Sequence, residues 1–144
     1  MKVIFLDIDG VLNCATTRER FRGAVGIDGQ LLHRFKMILN QTAAEVVLSS
    51  TWRLFPDMRD ELRLLGVKIK DITPDNKGGL RGDEIAKWLW DHPEVSTYAI
   101  LDDDSDMLAE QLPNFFKTTW EKGLTGKVAR EVIKHLNGNQ NSNF

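Results

Sequence analysis

Val3-Ile4-Phe5-Leu6-Asp7-Ile8-Asp9-Gly10-Val11-Leu12-Asn13 is the stretch whose reading decides the fold. Four apolar residues run unbroken into Asp7. A run that short, without polar alternation, suits a strand covered on both faces, as in a parallel sheet. Ionised carboxylates are costly to bury, so Asp7 and Asp9 at such a strand's end need a cation or hydrogen-bond donors. In open α/β sheets, ligands bind in the crevice beyond the carboxyl ends of the strands. Gly10 lets the chain turn sharply and come close to a ligand. The stretch reads either as a polar turn after a buried strand or as a carboxylate pair built for metal-assisted chemistry.

Outward from this strand, Cys14 to Gly26 has a polar start and two glycines, which predicts a loop or short flap. Arg18, Arg20 and Arg22 alternate along it, either as a solvated charged loop or as a basic flap that meets an anionic substrate. Asp28 reads as a helix N-cap, followed by Leu31, Leu32, Phe35, Ile38 and Leu39 at helical spacing. Glu45-Val46-Val47-Leu48 restarts a buried strand and ends in Ser49-Ser50-Thr51-Trp52-Arg53. A hydroxyl there is placed to bond a phosphate oxygen, although such residues also serve as turn or helix caps. Pro56 opens the next helix, with Met58, Leu62 and Leu65 on its apolar face and Gly66 as its stop.

Val67 to Ile72 predicts a third strand, and the turn segment Thr73 to Gly82 carries Lys77 and Arg81 just before a helix beginning at Asp83. Thr97 to Leu101 is the fourth strand and runs straight into Asp102-Asp103-Asp104-Ser105-Asp106. Carboxylates that close repel one another strongly unless a cation or solvent screens them, which favours metal binding. Phe115 to Trp120 predicts a fifth strand, and Val128, Val132, Ile133 and Leu136 mark a last helix. Strands alternating with helices imply a parallel sheet with right-handed crossovers. The candidate residues then gather at one sheet edge, and that convergence outweighs any single motif.

The 144-residue length suits one domain, read as 1–137, followed by a flexible tail at 138–144. A formal net charge of -2 gives no general footprint for nucleic acid or anionic membrane, though a local basic patch is compatible with it. The single cysteine, Cys14, excludes an internal disulfide framework and fits a cytoplasmic, reducing setting. No apolar run has the length of a membrane span, and the amino terminus does not read as a signal peptide.

Asp7-Ile8-Asp9-Gly10-Val11-Leu12-Asn13 resembles the first motif, DxDG(V/T)L, of the haloacid dehalogenase (HAD) superfamily of phosphohydrolases. Ser49 is similar to the second-motif Ser/Thr, Arg81 or Lys77 to the third-motif cation, and Asp102 to Asp106 to the acidic fourth motif. The resemblance runs from the first strand to the fifth. It is nearest to small HAD domains of nucleic-acid end-repair phosphatases, through Ser-Ser-Thr-Trp-Arg, the spacing of Arg81, Ile85 and Trp88, and Leu101-Asp102-Asp103. It implies a Rossmann-like three-layer α/β domain whose five parallel strands, numbered along the chain, lie in the order 5-4-1-2-3, without a large cap domain.

The resemblance also implies a Mg²⁺-dependent phosphomonoester hydrolase. Asp7 would be the nucleophile and form an aspartyl-phosphate, and Asp9 would be the general acid and base. Ser49 and the third-motif cation would hold the phosphoryl oxygens. Asp7, the Asp9 carbonyl and a fourth-motif aspartate would bind the metal, with Asp102, Asp103 and Asp106 open as the last ligand. Gly10, Ser50, Arg53 and Arg18 are the expected substrate contacts. Cys14 to Ile27 and Thr73 to Gly82 are each too short for a cap with its own core. The site is therefore expected to be open and to take a phosphate on a large partner, such as a nucleic-acid end, with a nucleotide as the smaller candidate. Two rival readings are a catalytically inactive HAD-fold binding module and a receiver-like signalling domain. A receiver carries its phosphorylated Asp at the end of the third strand, where this chain has no such aspartate standing clear of a turn.

Overall fold

The apolar run occupies the middle of the sheet. In the computed structural model, which describes residues 1–138, β1 (Lys2–Leu6) lies between β4 (Glu45–Leu48) and β6 (Thr97–Asp102), parallel to both. β5 (Ile69–Ile72) adds to β4 and β7 (Phe115–Lys117) adds to β6, which gives the order β5-β4-β1-β6-β7 with every pairing parallel. This is the expected 5-4-1-2-3 order, read from the other edge. The tail expected from residue 138 lies, past Gly138, outside the described residues.

Alternation along the strands divides the core into two layers. Ile4, Leu6, Val46, Leu48, Ala99 and Leu101 face one way, against α1 (Gly29–Thr42), α2 (Pro56–Leu64) and α4 (Gly126–Leu136). Val3, Phe5, Val47 and Ile100 face the other way, against α3 (Arg81–Trp90). The Phe5 ring meets Trp88 of α3 edge-on at 5.5 Å. Because both faces are covered, the central strands are apolar from Val3 to Leu6, Val46 to Leu48 and Ala99 to Leu101, and polar residues follow at their carboxyl ends. The helix starts follow local chemistry: Asp28 accepts from the Gln30 and Leu31 amides, Pro56 takes the first turn of α2, and Thr125 accepts from the Val128 amide.

Several boundaries differ from expectation. The third strand begins at Ile69 rather than Val67, whose side chain is buried in the helix layer. The fifth ends at Lys117, because Thr118 turns inward to bond the Gly10 carbonyl. α3 begins at Arg81, two residues before Asp83, so this cation stands in the helix's first turn. The Cys14–Gly26 segment carries a small antiparallel hairpin, β2 (Arg20–Phe21) with β3 (Ala24–Val25), and no larger inserted unit. A 3-10 segment at Ala109–Asn114 was not legible in the sequence pattern.

Candidate active site

Register brings the site together. Leu6 stands opposite Leu48 on one side and Leu101 on the other, and the hydrogen-bond ladder runs one step past each strand. The Asp7 amide donates to Leu101 O, Ser49 to Leu6 O, Thr73 to Leu48 O and Thr118 to Asp102 O, all at 2.9–3.0 Å. Asp7, Ser49 and Asp102 therefore share one level at the carboxyl edge of the sheet, although 42 and 53 residues separate Ser49 from its two neighbours in sequence.

The carboxylates form one acidic cluster. Oxygen atoms of Asp7, Asp102 and Asp103 all lie within 4.8 Å of one another. Asp7 is 5% exposed and Asp102 fully buried. Burial, reinforced by the Asp102 charge, pushes the Asp7 carboxyl up to about 8, against the opposing pull of Arg81. Burial and Asp102 likewise raise Asp103. Arg81 pairs with Asp102 and lies 3.4 Å from Asp7. Burial works against its charge, yet the Asp102 and Asp7 carboxylates more than offset this and hold the guanidinium firmly protonated. Three oxygen donors this close, at least one of them starved of counter-charge, make a donor set that fits a hard divalent cation such as Mg²⁺.

The other expected site residues divide by position. Asp9, two residues beyond Asp7, is exposed. Ser49 is fully buried, and its hydroxyl has no hydrogen-bond partner among the described residues, a costly state that a phosphoryl oxygen would relieve. Ser50 instead caps the following 3-10 turn, its hydroxyl accepting from the Trp52 amide at 3.1 Å. Of the two third-motif cations, Arg81 reaches the acidic cluster and Lys77 stays on the exposed turn before α3. Asp106 accepts from the Arg81 amide at 3.0 Å and stands outside the three-carboxylate cluster. Arg18, two residues before the hairpin, and Arg20, in β2, are exposed, and Arg22 pairs with Asp57 at 3.0 Å.

Arg53, expected as a substrate contact, is 4% exposed and held by the protein's own acceptors. Its guanidinium donates to the carbonyls of Thr73, Ser50 and Pro74 and to the buried Glu84 carboxylate at 2.8 Å. A guanidinium has five N–H donors in a fixed fork, and here the fork pins the Ser50 turn to the loop after β5. Cys14 is also buried rather than presented on an open loop.

Gly10 is required by geometry. It adopts φ +82, and a Cβ there would run into the Asp103 carboxylate. Gly10→Ala is therefore expected to displace Asp103 from the cluster and to cost about 1–2 kcal/mol in backbone strain. A Mg²⁺ titration should show weakened binding, and thermal melting a lowered Tm; unchanged Mg²⁺ binding would separate Gly10 from the cluster.

A family model described as the HAD domain in Swiss Army Knife RNA repair proteins matches residues 3–129. The chain belongs to this HAD family. No match was found among curated proteins or among solved structures. Membership agrees with the sheet order and the acidic edge, and it sets aside the receiver-like alternative. Members of the HAD superfamily typically use Mg²⁺, which accords with the donor set around Asp7. Among the described residues of this HAD domain, no helix is long and apolar enough to cross a membrane.

Three residues that shape the site had no role in the sequence reading. Asn13 donates from its side-chain amide to Asp9 at 2.9 Å, Trp52 donates from its indole to Asp9 at 3.0 Å, and Thr118 holds the Gly10 carbonyl at 2.6 Å. Asn13 and Trp52 lie within the two quoted motifs, where position relative to Asp9 was the available signal. Thr118 gave none, because it reads as one more residue of a strand.

Proposed function

We propose that this HAD domain is a Mg²⁺-dependent phosphomonoester hydrolase that works through an aspartyl-phosphate on Asp7. The observation that carries this reading is the meeting of Asp7, Asp102, Asp103 and Arg81 at one sheet edge, with exposed Asp9 two residues from Asp7. An Asp7 oxygen attacks phosphorus while the bond from phosphorus to the ester oxygen breaks. The bonding pair leaves on that oxygen, which takes the Asp9 proton. Water then attacks the phosphoryl group and gives its proton to the Asp9 carboxylate. The bond from phosphorus to Asp7 breaks, and inorganic phosphate leaves.

Arg81 and the unpartnered Ser49 hydroxyl hold phosphoryl oxygens as charge builds on them. Asp7, Asp102 and Asp103, with the Asp9 backbone carbonyl, would hold Mg²⁺. When bound, the ion supplies neutralisation of phosphoryl charge. Asp7 is pushed up to about 8 by its surroundings, so a cation in the cluster would also favour the ionised, nucleophilic form.

The substrate we propose is a phosphate at a nucleic-acid end. Support comes from the family description, from the lack of any cover larger than the β2–β3 hairpin among the described residues, and from exposed Arg20 on that hairpin and Arg18 just before it. Such cations suit backbone phosphates flanking the reacting one. A cytoplasmic location belongs to the same reading and rests on the single cysteine.

Hydrolysis of 4-nitrophenyl phosphate is expected with Mg²⁺, to stop on chelation and to return when Mg²⁺ is restored. A phosphorylated oligonucleotide is expected to exceed the matching mononucleotide by about tenfold or more in kcat/KM at low salt, an advantage that shrinks as salt rises. Turnover indifferent to chelator would overturn the metal assignment. Equal turnover of mononucleotide would overturn the substrate class, and no turnover of any phosphomonoester would leave an inactive binding module.

A further inference from the structure

An exposed carboxylate ordinarily turns freely and is satisfied by water. Asp9 is exposed, yet both of its oxygens are held by the protein. Asn13 Nδ2 donates to Oδ1 at 2.9 Å and Trp52 Nε1 donates to Oδ2 at 3.0 Å. The two donors come from different parts of the chain, and each is itself fixed. Asn13 is fully buried, and its own oxygen accepts from the Gly10 amide at 2.9 Å. Trp52 stands in the 3-10 turn Thr51–Leu54, capped by Ser50 and anchored below by the buried Arg53 fork. Its ring meets Phe21 of the hairpin edge-on at 6.1 Å and Phe55 at 5.5 Å.

We propose that Trp52 is a positioning residue for the leaving-group step, acting through Asp9 rather than on the substrate. This rests on the reading of Asp9 as general acid. Each carboxyl oxygen has two acceptor sites, so one donor on each leaves room for the acidic proton and its partner. The pair of donors fixes the plane of the carboxyl group and therefore the direction in which the proton is offered. A general acid must lie within hydrogen-bond reach of the oxygen it protonates, and small misplacements are expensive in rate. The Asn13 bond alone would leave the carboxyl group free to swing about Oδ1. Arg53 gains a purpose here as well, since its fork holds the turn that aims the indole.

The test is leaving-group dependence. 4-Nitrophenolate leaves readily without a proton, whereas an alkyl oxygen needs one. Trp52→Phe keeps an aromatic ring and deletes the donor. Its kcat/KM, which reports phospho-enzyme formation and not the later hydrolysis common to both esters, is expected to fall about tenfold to a hundredfold on an alkyl phosphate and about threefold or less on 4-nitrophenyl phosphate. Asp9→Asn should show the same dependence, only larger. The double variant should then be no slower on the alkyl ester than Asp9→Asn alone, because Trp52 acts only through Asp9. Replacing Trp52 by benzothienylalanine, which keeps the bicyclic ring and loses only the N–H, supplies the same comparison should the Phe variant melt early.

If Asp9→Asn discriminates between the two esters and the Trp52 variants slow both equally, or neither, the inference is overturned. Additive losses in the double variant overturn it as well. If Asp9→Asn itself slows both esters equally, the general-acid reading fails instead, and the two failures are distinguishable.

Discussion

Asp7→Asn is expected to lose turnover by about 10⁴-fold or more and, in the metal-free protein, to melt at a higher temperature. The first effect follows from chemistry: the amide has no anionic oxygen to attack phosphorus, and loss of a nucleophile is among the largest single effects in enzymes. The second follows from burial. Asp7 is 5% exposed and shares its space with Asp102, which together push its carboxyl up to about 8. A carboxyl whose folded pKa lies above its unfolded value binds a proton more tightly in the fold. Stability from that proton is full below about pH 4 and is lost as pH rises towards 8.

The metal-free wild type should therefore lose Tm across this window, and Asp7→Asn should flatten the loss. A gain of about 1–2 kcal/mol near pH 8, worth roughly 2–8 °C, is the size typical of relieving a strained functional site. Melting curves at pH 5 and pH 8, with and without Mg²⁺, together with a phosphatase assay, give both readings. Retained turnover would remove Asp7 as nucleophile. An unchanged pH slope would remove it as the source of strain.

Arg81→Met is expected to be damaging in both respects. Arg81 is the cation paired with Asp102 and near Asp7, and its side chain is 18% exposed, so the pair is only partly screened by water. Removing one partner of a buried ion pair leaves carboxylates without counter-charge. A loss of about 1–3 kcal/mol is expected near pH 8, discounted for that exposure. The loss should shrink towards pH 5, where Asp7 is protonated, and Mg²⁺ should restore part of it by supplying charge to the same oxygens. Removing a donor aimed at developing charge commonly costs 10²–10³ in kcat, and a fall of about that size is expected here. A Met variant that melted like the wild type at pH 8 without Mg²⁺ would show that Arg81 does not balance the cluster.

Much of this is legible in the sequence, for a definite reason. A run of apolar residues ending in carboxylates happens twice, at Leu6-Asp7 and Leu101-Asp102, and a third run ends in serines at Leu48-Ser49. Buried parallel strands have no polar alternation, so the point where polarity begins marks the edge where ligands bind. Strand identity and the gathering of candidate residues at one edge follow from that signal, whereas the sheet order is what the family resemblance implies.

What only the tertiary structure decided are matters of direction and burial. Arg53 and Arg81 look alike in sequence, each a cation close to a helix or turn. Packing sends Arg53 into the interior against Glu84, where five donors find four acceptors, and sends Arg81 to Asp7 and Asp102. Lys77, four residues before Arg81, stays on the exposed turn because α3 begins only at Arg81. Among Asp102, Asp103 and Asp106, spacing left the metal partner open, and the turn after β6 brings Asp103 against Gly10 while directing Asp106 to the Arg81 amide. Trp52 belongs to a stretch already singled out, yet its bond to Asp9 spans 43 residues and exists only because β4 lies beside β1. Hydrophobic pattern is written locally and determines the strands. The partner of a polar side chain is set by which strand ends become neighbours, and that belongs to the folded sheet.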